Sequence, residues 1–295
     1  MVRDAWRRRV RGAYAGPVRS AEELRERWIQ LVTLIMERTG MYASTGREMQ
    51  LLAGQLLGDL CFLDGTEASW EQEQSRLRSF GDRGVAGPFE ALFGSPRCQA
   101  EVAAVYAEVF RRLGYLAIAT PVAPRRWRDM AGSVRERFED RDVRRSEAQR
   151  ILGQPSLVVD RQVLCYAPAD PAAGWLFVGC HAEQASRYDI GHGRYTADRD
   201  DDPLVRLAWT SGPDFEAGLI LTLYGKTLRW GPGWWTRHPS DSWPAHTKAI
   251  AAQLRDITAA DPSQALRSHG TQQHDHRQLR RARRIKHIEP PFGTL

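Results

Sequence analysis

Residues 145–167 read RSEAQRILGQPSLVVDRQVLCYA, and the hydrophobic pattern of the chain changes within this stretch. Before Gly153 the apolar residues recur every three or four positions, which is typical of helices. From Leu157 onward they form short β-branched and aromatic runs, which are typical of strands. Gly153 and Pro155 separate the two patterns. The sequence therefore predicts an α+β protein, with a helical N-terminal region followed by an antiparallel β-sheet.

The same stretch has a second interpretation as a DNA-reading motif. Its first part, residues 147–153, resembles the E-A-x-R-x-L-G pattern of the first helix of a helix-turn-helix. A recognition helix would then follow, and it should offer hydrogen-bond donors to base edges. The chain instead offers Leu157, Val158 and Asp160 there. We favour a helix that ends at Gly153 and a strand after it, with the DNA-reading motif as the alternative.

Local signals extend this division over the whole chain. Ser20-Ala-Glu-Glu23 and Thr45-Gly-Arg-Glu48 are capping boxes that predict two helix starts. Residues 215–230 continue the strand-like runs, and residues 182–203 read as a long polar loop of the kind that is often functional. We expect a basic N-terminal arm over 1–19, a helical region over 20–153, a sheet with a closing helix over 154–260, and a basic C-terminal tail over 261–295 that is disordered until something binds it.

The positive charge lies at the two ends of the chain. The net charge is +6, yet residues 1–28 hold eight arginines against four acids and residues 266–295 hold seven basic residues against two acids, so the interior is slightly acidic. Only three of the 42 basic residues are lysine, which indicates a GC-rich bacterial genome. Basic ends on an acidic body are typical of arms that contact a polyanion. The expected contact residues are Arg7, Arg8, Arg9, Arg11, Arg277, Arg280, Arg281, Arg283, Arg284 and Lys286.

The alternatives for these ends are solvated termini or a cleaved targeting segment at the N-terminus. Our preferred function is a non-catalytic binding or assembly protein that contacts nucleic acid or an acidic protein surface. Ten tryptophans are present, and Trp234, Trp235 and Trp243 could stack on bases. The competing interpretation of this tryptophan cluster is a hydrophobic plug that pins an irregular loop, and we favour it.

An enzyme of secondary metabolism or nucleic-acid processing is the second functional class. Its pocket would lie near the 182–203 loop, with Arg187 or Arg194 as anion clamps. The candidate catalytic residues are His181, Glu183, His192 and Asp198, to which we assign no roles. Cys180 could act as a nucleophile only if His192 reached it, because His181 is its neighbour on a strand and points to the opposite face. A protein-binding scaffold is the third class.

Several other classes find no support in the sequence. The four cysteines are dispersed without a C-x-x-C pair, no metal-ligand spacing is complete, and no glycine-rich phosphate loop is present, so we expect free thiols and no metal or cofactor. No apolar run is long enough to cross a bilayer, so we expect a cytoplasmic protein without a membrane partner. The sequence does not indicate an oligomeric state.

Overall fold

The computed structural model describes residues 17–139, 141–181, 184–189, 194–199, 201–211, 215–231, 233–236, 243 and 245–260. The fold is α+β, as the change of pattern near Gly153 predicts. Most of the basic N-terminal arm and the whole tail over 261–295 lie outside the described residues. The helices of the N-terminal half are α1 (Ala21–Glu37), α2 (Gly46–Asp64), α3 (Glu67–Leu77), α4 (Ala86–Phe93), α5 (Gln99–Arg112), α6 (Pro124–Phe138) and α7 (Arg145–Leu152).

Five strands form the central antiparallel sheet in the order β1-β2-β3-β6-β7. Their bounds are β1 (Leu157–Val159), β2 (Val163–Tyr166), β3 (Leu176–His181), β6 (Leu204–Thr210) and β7 (Leu219–Leu221). Strands β4 (Gln184–Asp189) and β5 (Arg194–Arg199) lie between β3 and β6 in the sequence. They pair with each other as a separate two-stranded hairpin. The chain therefore builds a meander with one inserted hairpin.

Both faces of the central sheet are covered, which explains why its strands read as continuous apolar runs. Helices α1 to α5 pack on one face, where Cys165, Phe177 and Trp209 enter the main core. Helices α6 and α7 pack on the other face, where Tyr166 and Val178 enter a second core. Because successive strand residues point to opposite faces, each strand supplies both cores. We call α6, α7 and the link between them (residues 124–152) the outer layer.

Helix α5 occupies the centre of the N-terminal layer, and all of its residues from Ala100 to Phe110 are buried. The helix starts that the capping boxes predict are confirmed: the hydroxyls of Ser20 and Thr45 accept hydrogen bonds from the backbone N–H groups of Glu23 and Glu48. The two glutamates accept in return from the N–H groups of Arg19 and Ser44, one residue before each cap. These bonds satisfy amides that the first helical turn leaves without partners.

A β-bulge interrupts the pairing of β3 with β6. Gly179 pairs with Leu207 and Cys180 with Val205, so Arg206 is the extra residue. A bulge re-aims a side chain, and here both Arg206 and Leu207 face the N-terminal helices. The carbonyl of Arg206 also lies against Gly225, where an added Cβ would stand 1.8 Å from that oxygen.

The part of the chain after β6 differs from the sequence prediction. The run 215–230 is not one strand, because only β7 is extended and it lies between α8 (Phe215–Gly218) and α9 (Leu223–Trp230). Its apolar and aromatic residues were misleading, since a helix that packs against a sheet also needs them. The closing helix is confirmed as α10 (Ala245–Ala260).

Two further expectations are decided by the fold. The region 182–203 is not a polar loop throughout, because β4 and β5 pair over six residue pairs. The two strands are not part of the central sheet, so they lack the apolar runs that mark its strands in the sequence. The DNA-reading motif is wrong, because α7 ends at Leu152 and β1 follows at Leu157.

Candidate polyanion-binding surface

The candidate catalytic residues fall near the inserted hairpin. His181 is the last residue of β3, is partly buried, and lies opposite Leu204. Asp198 lies on β5 opposite Ala185, and only the backbone is described at this position. Glu183 and His192 lie outside the described residues. A catalytic site formed by these side chains therefore stays a prediction.

The two arginines proposed as anion clamps lie on the same hairpin. Arg187 of β4 pairs with Thr196, and Arg194 of β5 pairs with Asp189. The register spaces the two arginines along the hairpin. An anion clamp formed by their side chains stays a prediction.

The thiols of Cys180 and Cys98 are poorly suited to nucleophilic chemistry. Cys180 is completely buried, and burial raises the pKa of its thiol to about 12. Burial also raises the pKa of the Cys98 thiol to about 12. A thiol with such a pKa is almost entirely protonated at neutral pH, and the protonated form is a weak nucleophile. This disfavours the Cys180–His192 arrangement.

The tryptophan cluster packs inward. Trp234 is 0% exposed and Trp235 is 3% exposed, and they pack against Leu254 of α10. The Trp234 ring also lies 5.4 Å from the ring of the partly buried Trp243, between centroids. Stacking on a base requires an accessible ring face. The burial favours the plug interpretation for Trp234 and Trp235.

A ring of ion pairs between two buried glutamates and two partly buried arginines joins α3 to α5. Glu73 accepts from Arg76 at 2.8 Å and lies 3.2 Å from Nε of Arg112. Both arginines also contact Glu108, with Arg76 at 3.6 Å, and Ser211 at the end of β6 donates to the same carboxylate. Desolvation raises the pKa of Glu108, although the two arginines and Ser211 oppose that shift. This ring cross-links the helical layer to the sheet.

A second buried pair connects α5 to the bulge. Arg206 donates to Glu101, and their side chains are 7% and 1% exposed. The guanidinium of Arg206 also lies 4.4 Å from the ring centroid of Phe93. The buried carboxylates of Glu101 and Glu108 are not among the residues that the sequence analysis singles out. A signal did exist, because Glu101 and Glu108 are seven residues apart, and therefore on one face, in an otherwise apolar helix.

The outer layer presents exposed positive charge. Over the described residues between 124 and 152, the exposed acids are Asp129 and Glu136, and the exposed basic residues are Arg125, Arg126, Arg128, Arg137, Arg141 and Arg150. This pattern follows from helix periodicity: α6 buries Met130, Val134 and Phe138 against the sheet, which turns the intervening arginines outward.

Neighbouring contacts hold some of these arginines in place. Arg126 donates to the carbonyl of Leu152 at 2.7 Å. Arg141 and Arg150 lie 3.3 and 3.8 Å from the same oxygen of Glu147. One carboxylate therefore serves two guanidinium groups, and this surface keeps an excess of positive charge.

In the described part of the chain, no cluster of three or more His, Cys, Asp or Glu side chains could hold a metal ion. None of the described helices has the length and apolar character needed to span a membrane. The comparisons with known proteins found no matching family model, no matching curated protein and no matching solved structure.

Proposed function

We propose that the protein binds a polyanion, with nucleic acid as the preferred class, through its arginine-rich termini together with the exposed arginines of the outer layer. The single observation that supports this proposal is the surplus of exposed arginines on that layer, six against two exposed acids over the described residues between 124 and 152. The termini add further arginines at both ends of the chain.

The proposed mechanism is charge neutralisation of phosphates without base readout. Guanidinium groups bind phosphate oxygens in a bidentate manner, and each neutralised phosphate releases condensed counterions. Stacking on Trp234 and Trp235 has no part in this proposal because both rings are buried. Binding should therefore depend steeply on salt and little on base sequence.

A salt titration with matched charge variants tests the proposal. The full chain is titrated with labelled single-stranded and duplex oligonucleotides between 50 and 200 mM salt. Variant one replaces Arg125, Arg128 and Arg137 of the outer layer by Gln. Variant two makes the same change at Arg78, Arg83 and Arg97, which are exposed in the N-terminal layer. Variant three replaces Arg280, Arg281, Arg283 and Arg284 of the tail.

Variant one should reduce the slope of log K against log salt by about 3 if all three arginines contact duplex phosphates, since each contact contributes about 0.9. Variant three should reduce it by about 4 by the same rule. Variant two carries the same loss of charge as variant one and should change the slope much less. Equal effects of variants one and two would contradict a role for the outer layer. Absent or salt-independent binding by the unmodified chain would refute the proposal.

A further inference from the structure

The turn between β1 and β2 contains two residues in a backbone conformation that usually requires glycine. The N–H of Gln162 donates to the carbonyl of Val159 at 2.9 Å and closes the turn. Its two central residues, Asp160 and Arg161, have φ angles of 47° and 57°. Positive φ at both central positions characterises a type I′ turn, in which Asn-Gly and Asp-Gly are the preferred pairs. Among the described residues other than glycine, these two alone have a positive φ.

Asp160 is suited to this conformation, because both its backbone and its side chain have partners near the turn. Its N–H donates to the carbonyl of Met36, near the end of α1, at 2.8 Å. Its carboxylate accepts from the hydroxyl of the buried Thr39 at 2.7 Å and from the side-chain amide of Gln162 at 3.0 Å. Aspartate also tolerates positive φ better than most residues do. These contacts fix the turn onto the N-terminal helical layer.

Arg161 has no comparable reason to adopt a positive φ. Its side chain is exposed and forms no hydrogen bond or ion pair with any part of the chain that the structure describes. A side chain at positive φ strains the backbone because its Cβ lies close to the following carbonyl oxygen, and glycine would avoid that strain. Backbone strain of this kind is concentrated at functional sites. The fold does not use the guanidinium of Arg161, so a contact outside the chain would explain this residue.

A second arginine connects this turn to the outer layer. Nη1 of Arg145, the first residue of α7, donates to the carbonyl of Arg161 at 2.9 Å. Neither guanidinium group has a carboxylate partner over the described ranges of the chain. The carboxylate of Asp202 at the same end of α7 accepts instead from the N–H and the hydroxyl of Ser146. Two positive groups therefore lie together at this edge of the outer layer.

We propose that Arg161 binds a backbone phosphate of the nucleic acid, and that the β1–β2 turn thereby extends the basic surface of the outer layer. This inference rests on the proposed function. A guanidinium group binds phosphate oxygens through charge-assisted hydrogen bonds, and a turn that is already fixed loses little conformational entropy on binding. Because the strain and the charge belong to one residue, replacing Arg161 by Gly should stabilise the protein and weaken its binding.

Three variants of the full-length chain separate backbone strain from charge. Arg161→Gly should raise the melting temperature by about 2 °C and reduce the slope of log K against log salt for duplex DNA by about 0.9. Arg161→Gln should reduce the slope equally but leave the melting temperature nearly unchanged, because it keeps the strain. Arg161→Lys should preserve the slope because it keeps the charge. Arg78→Gln, at an exposed position of the N-terminal layer, is the matched control and should leave the slope unchanged.

The possible results distinguish this inference from the function on which it rests. If the unmodified chain does not bind the oligonucleotide, the proposed function fails, and the phosphate contact fails with it. If the unmodified chain binds and Arg161→Gly leaves the salt slope unchanged, the contact at Arg161 alone is overturned. A melting temperature that Arg161→Gly fails to raise would contradict the argument from backbone strain.

Photo-cross-linking locates the contact independently of affinity. The four natural cysteines are buried, so a thiol-reactive benzophenone labels an introduced cysteine selectively. Arg161→Cys and the control Arg78→Cys are labelled, mixed with the duplex oligonucleotide and irradiated. We expect several times more cross-linked DNA from position 161 than from position 78, and high salt should abolish the difference. Equal cross-linking from the two positions would overturn the proposal.

Discussion

Removing Arg206 should destabilise the protein strongly, although this residue is a charged side chain in a sheet. Its partner Glu101 is 1% exposed, so Arg206→Met would leave a carboxylate in the core without its counter-charge. Breaking a buried ion pair in this way costs about 3–5 kcal/mol. A typical domain has a total free energy of unfolding of about 5–15 kcal/mol, so the loss would be a large fraction of it.

The double variant Glu101→Met with Arg206→Met should be much more stable than Arg206→Met alone. Replacing both charges removes the cost of keeping either one away from water, and the two methionine side chains can fill the space beside Phe93. We expect the double variant to recover at least half of the loss.

The surface pair between Arg47 and Glu90 is the matched control. Its nitrogen–oxygen distance is 3.1 Å, and the Arg47 side chain is 57% exposed. Arg47→Met should therefore cost about 1 kcal/mol or less, as exposed pairs do. Urea unfolding monitored by circular dichroism, with one m-value for all variants, measures the free energy of unfolding of each variant.

An Arg206→Met variant that costs about as little as Arg47→Met would contradict this prediction. The prediction is also contradicted if the double variant loses as much stability as Arg206→Met and Glu101→Met added together, because the two residues would then be energetically independent. Either result would mean that water or other groups already compensate the buried charges.

Three further predictions concern backbone packing, pH and thiol reactivity. Gly225→Ala should unfold the protein or lower its melting temperature markedly, because the added Cβ would collide with the Arg206 carbonyl. The control Gly132→Ala lies in open space on α6 and should raise the free energy of unfolding by about 1 kcal/mol. A Gly225→Ala variant with an unchanged melting temperature would contradict the close packing of α9 on β6. Burial raises the pKa of Asp142 to about 6, above its unfolded value near 4, so the folded state binds this proton more tightly and loses stability as pH rises through that interval. Asp142→Asn should reduce the change in the free energy of unfolding between pH 4 and pH 6, measured by urea unfolding at each pH. If this pH dependence is the same in the variant, Asp142 is not its source. A thiol reagent should react with almost no cysteine of the native protein and with all four cysteines in denaturant, since all four are buried in the native state. Rapid reaction of a thiol in the native protein would contradict that burial.

The local interactions of the helices follow from the sequence. Ser20 and Thr45 cap helices because each acts on an amide only three residues away, so the spacing alone is informative. The end of α7 near Gly153 and the return to strands at Leu157 are likewise decided by neighbouring residues. The α+β class follows from these signals. The surplus of arginines on the outer layer can also be predicted in part, since it follows from the helical period of α6.

Only the tertiary structure decides the features that depend on distant partners. The bulge at Arg206 turns that side chain toward Glu101, which is 105 residues away in the chain. The burial of Trp234 depends on α10, and the pairing of β4 with β5 depends on a register that their polar composition does not mark. The sequence alone predicts the starts of α1 and α2 and the change from helix to strand near Gly153, because these signals act over three or four residues. The structure decided which charges are buried and which arginines face solvent, because burial depends on segments that meet only when the chain is folded.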